Sequence, residues 1–288
     1  MSDAEVASAL RARHLCLLYQ PQYQLLGGRL RGFEALARLS VGQDHDQEYG
    51  WIAPEHFIPV ACAAGLMGAL TLHLIEEACR ALRAWRGRNP HAVFIAVNIE
   101  SEDLADILFA PRVSRLLAQY RIRPGELELE LVERRSIQLS DTCRANIRQL
   151  RGQGIRFALD DFGTGYSALS LLAELPFDVV KIDKAFLARV PRDPEACTLM
   201  TGVVQLCIAL HKEVVVEGVE SHAQLSWLES LPPHRVRVQG NALSFPLHEP
   251  QARAHLPLTG VPSSPMSMVT NASPTSVLDD AGLDPAAV

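Results

Sequence analysis

Several short apolar runs in this chain close on a side chain able to hold a cation. FIAV ends in Asn98, LELEL carries Glu130 before its last residue, IRFAL ends in Asp160 and Asp161, and VVV ends in Glu217. VRV ends in Gln239, Lys181 interrupts DVVKI, and Glu34 lies within FEALARL. Taken singly, each has a bland explanation: Glu128 and Glu130 read as the outward half of an alternating strand, and Lys181 as an edge or snorkelling lysine. Gathered at one mouth, the carboxylates of Glu34, Glu130, Asp160, Asp161 and Glu217, with one carboxamide, would repel one another without cations. Oxygen ligands without recurrent His or Cys favour hard ions such as Mg²⁺ or Mn²⁺ over zinc. The ten histidines show no HxxxH spacing and read as scattered structural or surface residues. Two divalent ions would offset most of the negative charge and leave Lewis-acid positions for a phosphoryl oxygen and a water, which points to phosphodiester hydrolysis.

That grouping requires elements that bring the ends of separate runs together. Runs rich in Val, Ile and Leu, bounded as strands, occur at Leu17 to Leu26, Phe33 to Leu39, Val93 to Asn98 and Leu127 to Val132. Four more follow at Ile155 to Asp160, Asp178 to Ile182, Val214 to Glu217 and Val236 to Gln239. Between them, Pro54 to Trp85, Leu104 to Tyr120, Asp141 to Gln153 and Glu195 to His211 carry apolar residues at helical spacing. This alternation predicts an α/β fold with a parallel sheet, and eight strand candidates predict a single (β/α)8 TIM-type barrel. Such a barrel places its active site at the carboxyl ends of the strands. Residues 1–14 form an N-terminal segment with helical character, 15–255 the barrel, and 256–288 a Pro/Ser/Ala-rich flexible tail.

Composition narrows the partners. At 288 residues and 48% hydrophobic, the chain can bury the core of one large domain. A net charge of −6 gives no basic footprint for long nucleic acid. Six cysteines lie far apart with no CxxC pair, so neither a zinc site nor a disulfide framework is expected. No stretch reaches the ~18 apolar residues of a membrane span, and Met1 to Arg13 lack a signal-type apolar run. The expectation is a cytoplasmic protein.

The residues then resemble a known family. Glu34-Ala35-Leu36, the segment DDFGTGYSALSLLAELPFDVVKID (Asp160 to Asp183) and VVVEGVE (Val214 to Glu220) are similar to those of EAL-domain cyclic di-GMP phosphodiesterases. YQP, PEHFIPVA and VQG follow the same order, and the resemblance runs from about Leu15 to about Pro250. It implies hydrolysis of cyclic di-GMP to linear pGpG by a homodimer that holds two ions, Mg²⁺ or Mn²⁺, with no organic cofactor. It implies Glu34, Asn98, Glu130 and Asp160 as ligands of one ion, and Asp160, Asp161 and Glu217 as ligands of the second. Lys181 is implied to contact the attacking water, Glu220 and Gln239 to orient water and the metal shell, and Glu133 to steady the loop after Asp161. Gln20, Leu36 and Arg38 match nucleotide-contacting positions, and Gly163 and Gly165 lie in a loop linking the metal site to a dimer contact.

The chain departs from the family pattern at Val132, where Thr is usual, at Glu100, where Ser is usual, at Asn241, where an aromatic is usual, and in LPPHRVR before Gln239. Glu100 and Asn241 would weaken substrate or metal affinity. The rival expectation is therefore an EAL-type regulator that binds cyclic di-GMP or a protein partner and controls gene expression with little turnover. Without the resemblance, proton abstraction by Lys181 beside Mg²⁺-held carboxylates also stays open.

Overall fold

The computed structural model describes residues 2–40, 51–86, 93–132, 140–163, 172, 174–231 and 235–257. Glu133, Gly165 and all but the first two residues of the expected tail lie outside them. The strands are β1 (Leu15–Gln24), β2 (Leu30–Ser40), β3 (Trp51–Ile52), β4 (Phe94–Ile99), β5 (Leu127–Val132), β6 (Arg156–Phe162), β7 (Val179–Ile182), β8 (Glu213–Val216) and β9 (Val236–Val238). The helices are α1 (Asp3–Arg11), α2 (Pro54–Ala63), α3 (Met67–Trp85), α4 (Ser101–Ala105), α5 (Phe109–Tyr120), α6 (Asp141–Gly152), α7 (Lys184–Leu187), α8 (Pro194–Ala209), α9 (His222–Leu228) and α10 (Glu249–His255). No helix among the described residues is long and apolar enough to cross a membrane.

Eight strands close on themselves in the order β1, β9, β8, β7, β6, β5, β4, β2, and back to β1, while β3 adds to the far end of β2. Each of the eight expected runs supplies one barrel strand. Strands β4 to β9 and β2 run parallel, as the alternation predicts, and β1 alone of the eight barrel strands is antiparallel to both neighbours. The reason is chain length: only Leu25–Arg29 separate β1 from β2, and a parallel crossover needs about a dozen residues or more.

Alternation along β5 sorts its side chains in the opposite sense from the bland reading. Leu127, Leu129 and Leu131 join the apolar core together with helix residues such as Val113 and Ile147. Glu128 and Glu130 are fully buried and engage Arg237 and Lys181. The outside of a barrel strand is covered by helices, so the apolar half of the alternation faces outward here and the polar half faces the lumen.

N-terminal helix α1 starts in a capping box between Ser2 and Glu5 and buries Val6 and Leu10 in the same core. Helix α3 buries Leu70, Leu74, Ala78, Leu82 and Trp85 along one face. The Trp85 ring lies 5.2 Å from those of Tyr19 on β1 and Phe33 on β2, and its indole N–H donates to the Glu249 carboxylate on α10 at 2.7 Å. Trp85→Ala is expected to cost ~3–5 kcal/mol of stability, read as a fall in the urea midpoint, because the cavity opens between two strands and two helices.

Candidate metal centre

The parallel ladder sets the mouth residues side by side. Asn98 on β4 is level with Glu130 on β5, Val132 is level with Asp160 on β6, and Lys181 on β7 is level with Val215 on β8. Glu217 and Gln239 follow the last residues of β8 and β9. Glu34 sits mid-strand on β2, opposite Gln20 of antiparallel β1.

Two groups of carboxylates result, each with ligand atoms within 4.8 Å of one another: Glu34, Glu130 and Asp160 in one, and Asp160, Asp161 and Glu217 in the other. Asp160 belongs to both. Consecutive residues of a regular strand point to opposite faces, so Asp160 and Asp161 could not both face the mouth from a regular β6. The β6–β7 register shifts between Leu159 and Phe162, and Asp161 takes φ 53°, which turns both carboxylates to the same side. A left-handed backbone at a non-glycine residue is strain concentrated where the site needs it.

Lys181 is 1% exposed, and its Nζ lies 2.8 Å from Glu130, 2.8 Å from Glu217, 3.0 Å from Asp160 and 3.5 Å from Glu34. Burial alone would lower the Lys181 pKa, but these carboxylates outweigh it and hold the ammonium well above its ordinary value. Burial pushes Glu130 well above the carboxylate range despite Lys181, with Glu34, Asp160 and Glu128 adding to the rise. Burial likewise pushes Glu217 up to about 8. One ammonium is too little charge for this many carboxylates.

The oxygens fit a cation. Glu34 Oε1 accepts from Asn98 Nδ2 at 3.1 Å and Oε2 from Gln239 Nε2 at 2.6 Å, so the carboxylate is held from two sides. Among the described residues, Asn98 Oδ1 and Glu130 Oε1 are buried with no hydrogen-bond partner, a costly arrangement that a bound cation would remove. The all-oxygen donor set suits a hard divalent ion.

A cavity of about 450 Å³ opens over this cluster and includes Gln20, Leu36, Glu220 and Gln239 in its wall. Arg38 does not line it; its guanidinium donates to the Ala37 carbonyl at 2.8 Å. Residues that had no assigned role also contribute: Glu55, Ile58 and Met67 from α2 and α3, and Lys184 at the start of α7. PEHFIPVA was a signal for the first two, whereas Met67 and Lys184 carry none without the tertiary arrangement. Glu100 and Asn241 both line the cavity.

A family model described as the EAL domain matches residues 3–246. The chain belongs to the EAL domain family. This EAL domain is 32% identical, over 87% of its length, to the bifunctional diguanylate cyclase/cyclic di-GMP phosphodiesterase MucR of Pseudomonas aeruginosa, covering 36% of that protein. It is 35% identical over 73% of its length to the probable cyclic di-GMP phosphodiesterase PdeG of Escherichia coli, covering 40% of that protein. The chain thus spans well under half the length of these curated relatives. The EAL domain superposes on the solved PaMucR phosphodiesterase in complex with c-di-GMP with a TM-score of 0.75 and 32% identity, covering 86% of this chain and 98% of that one. It shares its fold with the FimX EAL domain from Pseudomonas aeruginosa bound to c-di-GMP, with a TM-score of 0.69 and 21% identity over 86% of this chain and 97% of that one.

Glu217 of the EAL domain is followed by Gly218, at φ 65°, where a Cβ would stand 2.3 Å from the Lys184 Cβ. Gly218→Ala meets both left-handed strain and a clash, so either the turn carrying Glu217 or the start of α7 at Lys184 has to move. A loss of ~1–3 kcal/mol together with weaker Mn²⁺ binding is expected, measured by thermal unfolding in EDTA and by calorimetric titration. Unchanged Mn²⁺ affinity would show that Glu217 does not depend on this turn.

Proposed function

We propose that this EAL domain hydrolyses cyclic di-GMP to linear pGpG with two divalent ions, Mg²⁺ or Mn²⁺, in the cytoplasm and as a homodimer. The observation that carries the reading is the pair of carboxylate groups sharing Asp160, with Lys181 Nζ among them. Glu34, Asn98, Glu130 and Asp160 would hold one ion, and Asp160, Asp161 and Glu217 the other. When bound, the ions supply Lewis acidity toward a phosphoryl oxygen and a water.

The chain's own groups do the rest. Lys181 holds the attacking water and offsets the anionic charge that develops on the phosphate. Glu220 and Gln239 orient water. Gln20, Leu36 and Arg38 position the nucleotide; Arg38 must first leave the Ala37 carbonyl to reach it.

The test is cyclic di-GMP turnover by purified protein in Mg²⁺ and in Mn²⁺, with pGpG followed by chromatography and Glu34→Ala as control. Glu34-dependent pGpG is the expected result. The cavity-lining Glu100 and Asn241 favour a second reading, a cyclic di-GMP-binding regulator or partner-binding module with little turnover. Tight binding without product would select it.

A further inference from the structure

Below the mouth, the barrel is not filled by apolar layers alone. Ala158, Val179 and Val215 form a small separate apolar cluster. Polar and charged residues fill the floor. Arg237 on β9 is fully buried: its Nη2 donates to Glu128 at 3.1 and 3.2 Å, its Nε lies 3.0 Å from Glu213, and its guanidinium sits 4.5 Å over the Phe94 ring. Its remaining arm, Nη1, donates to Oε1 of Gln22, itself fully buried on β1, at 2.6 Å. Gln22 Nε2 donates to Gln239 Oε1 at 2.9 Å, and Gln239 Nε2 donates to Glu34 Oε2 at 2.6 Å and to Gln20 Oε1 at 2.9 Å.

We propose that Arg237 and Gln22 are positioning residues: they fix the direction of the Gln239 amide and so hold Glu34 ready for a cation. The logic is one of donor and acceptor type. A guanidinium only donates, so the Gln22 carbonyl must face Arg237 and its NH₂ must face Gln239. The Gln239 carbonyl is thereby taken, and both protons of its NH₂ are left for Glu34 and Gln20. Flipping either amide would set donor against donor or carbonyl against carboxylate in a buried space, where such mismatches are costly. Glu34 therefore always meets a donor, and with Asn98 on its other oxygen its rotamer is set before any ion arrives, which lowers the ordering cost of binding. No motif read from the sequence assigned Gln22 or Arg237 a role.

This inference rests on the reading of Glu34 as a metal ligand, and the test separates the two. Mn²⁺ affinity is measured by calorimetry on the full chain in wild type, Gln22→Met, Gln239→Met and the double variant, with thermal unfolding in EDTA alongside. Gln22→Met is expected to weaken Mn²⁺ binding about 10-fold in the wild-type background and less than about 2-fold once Gln239 is already Met, because the relay acts only through that amide. Affinity within about 2-fold of wild type for Gln22→Met, or losses that multiply in the double variant, would overturn the relay. If Gln22→Met does not fold, Gln22→Glu replaces it. Beside Arg237 that carboxylate stays ionised and can only accept, so Gln239 turns its NH₂ toward position 22 and its carbonyl toward Glu34. Weaker Mn²⁺ binding is again expected, and unchanged binding overturns the proposal. Failure of the wild-type protein to bind Mn²⁺ would instead overturn the metal reading itself.

Discussion

Asp160→Asn is expected to lower pGpG formation by about 10²–10³-fold, the size of loss seen when a preorganised electrostatic group is removed from a reacting centre. Asp160 is the residue common to both carboxylate groups, so its charge is shared by both proposed ions. The substitution keeps the shape and one carbonyl oxygen to accept from the Asp161 N–H at 2.9 Å, and Lys181, 3.0 Å from Asp160 Oδ1, keeps its ion pairs with Glu130 and Glu217, so the fold should survive. Initial rates and calorimetric Mn²⁺ stoichiometry are the measurements. The expected outcome is fewer than two ions bound per chain together with the loss of product. Turnover within about tenfold of wild type would show that the two groups do not depend on a shared carboxylate.

The second large effect concerns Lys181 in the absence of metal. Its ammonium stands among Glu34, Glu130, Asp160 and Glu217, all within 3.5 Å. Lys181→Met keeps the volume and removes the charge, leaving these carboxylates buried with no cation. Breaking a buried pair in this way costs ~3–5 kcal/mol, which in a domain of this size is a fall of roughly 6–20 °C in melting temperature in EDTA. Glu130 and Glu217 already have raised folded-state pKa values, and loss of Lys181 raises them further. A group whose folded pKa is raised contributes stability at low pH that is lost as pH rises through the folded value. The variant's deficit should therefore be larger at pH 8 than at pH 5. Added Mn²⁺ should restore most of the melting temperature, since divalent ions can stand in for the missing ammonium, while turnover stays ~10²-fold or more below wild type. A melting temperature in EDTA equal to wild type would show that Lys181 is not the counter-charge of the metal-free site.

Much of this site could be read before any coordinates because polar residues are conspicuous at the ends of runs such as FIAV, IRFAL and VVV, where a buried strand would otherwise continue apolar. The barrel itself followed from eight such runs separated by stretches long enough for helices. Leu25–Arg29 was also sufficient to make β1 antiparallel, a signal of loop length that the apolar pattern alone did not use.

The chain alone determined which residue types recur, at what spacing, and hence a barrel with an oxygen-rich mouth that resembles the EAL family. Only the tertiary structure decided which half of an alternating strand is inside: period-two alternation defines two faces of LELELV but does not name them, and the helices covering the outer face sent Glu128 and Glu130 into the lumen. The same holds for the turn of Asp161 to φ 53°, which depends on how β6 pairs with β7. It holds too for the floor of Arg237, Gln22 and Glu128, residues distant in sequence whose donors and acceptors match only after the barrel closes.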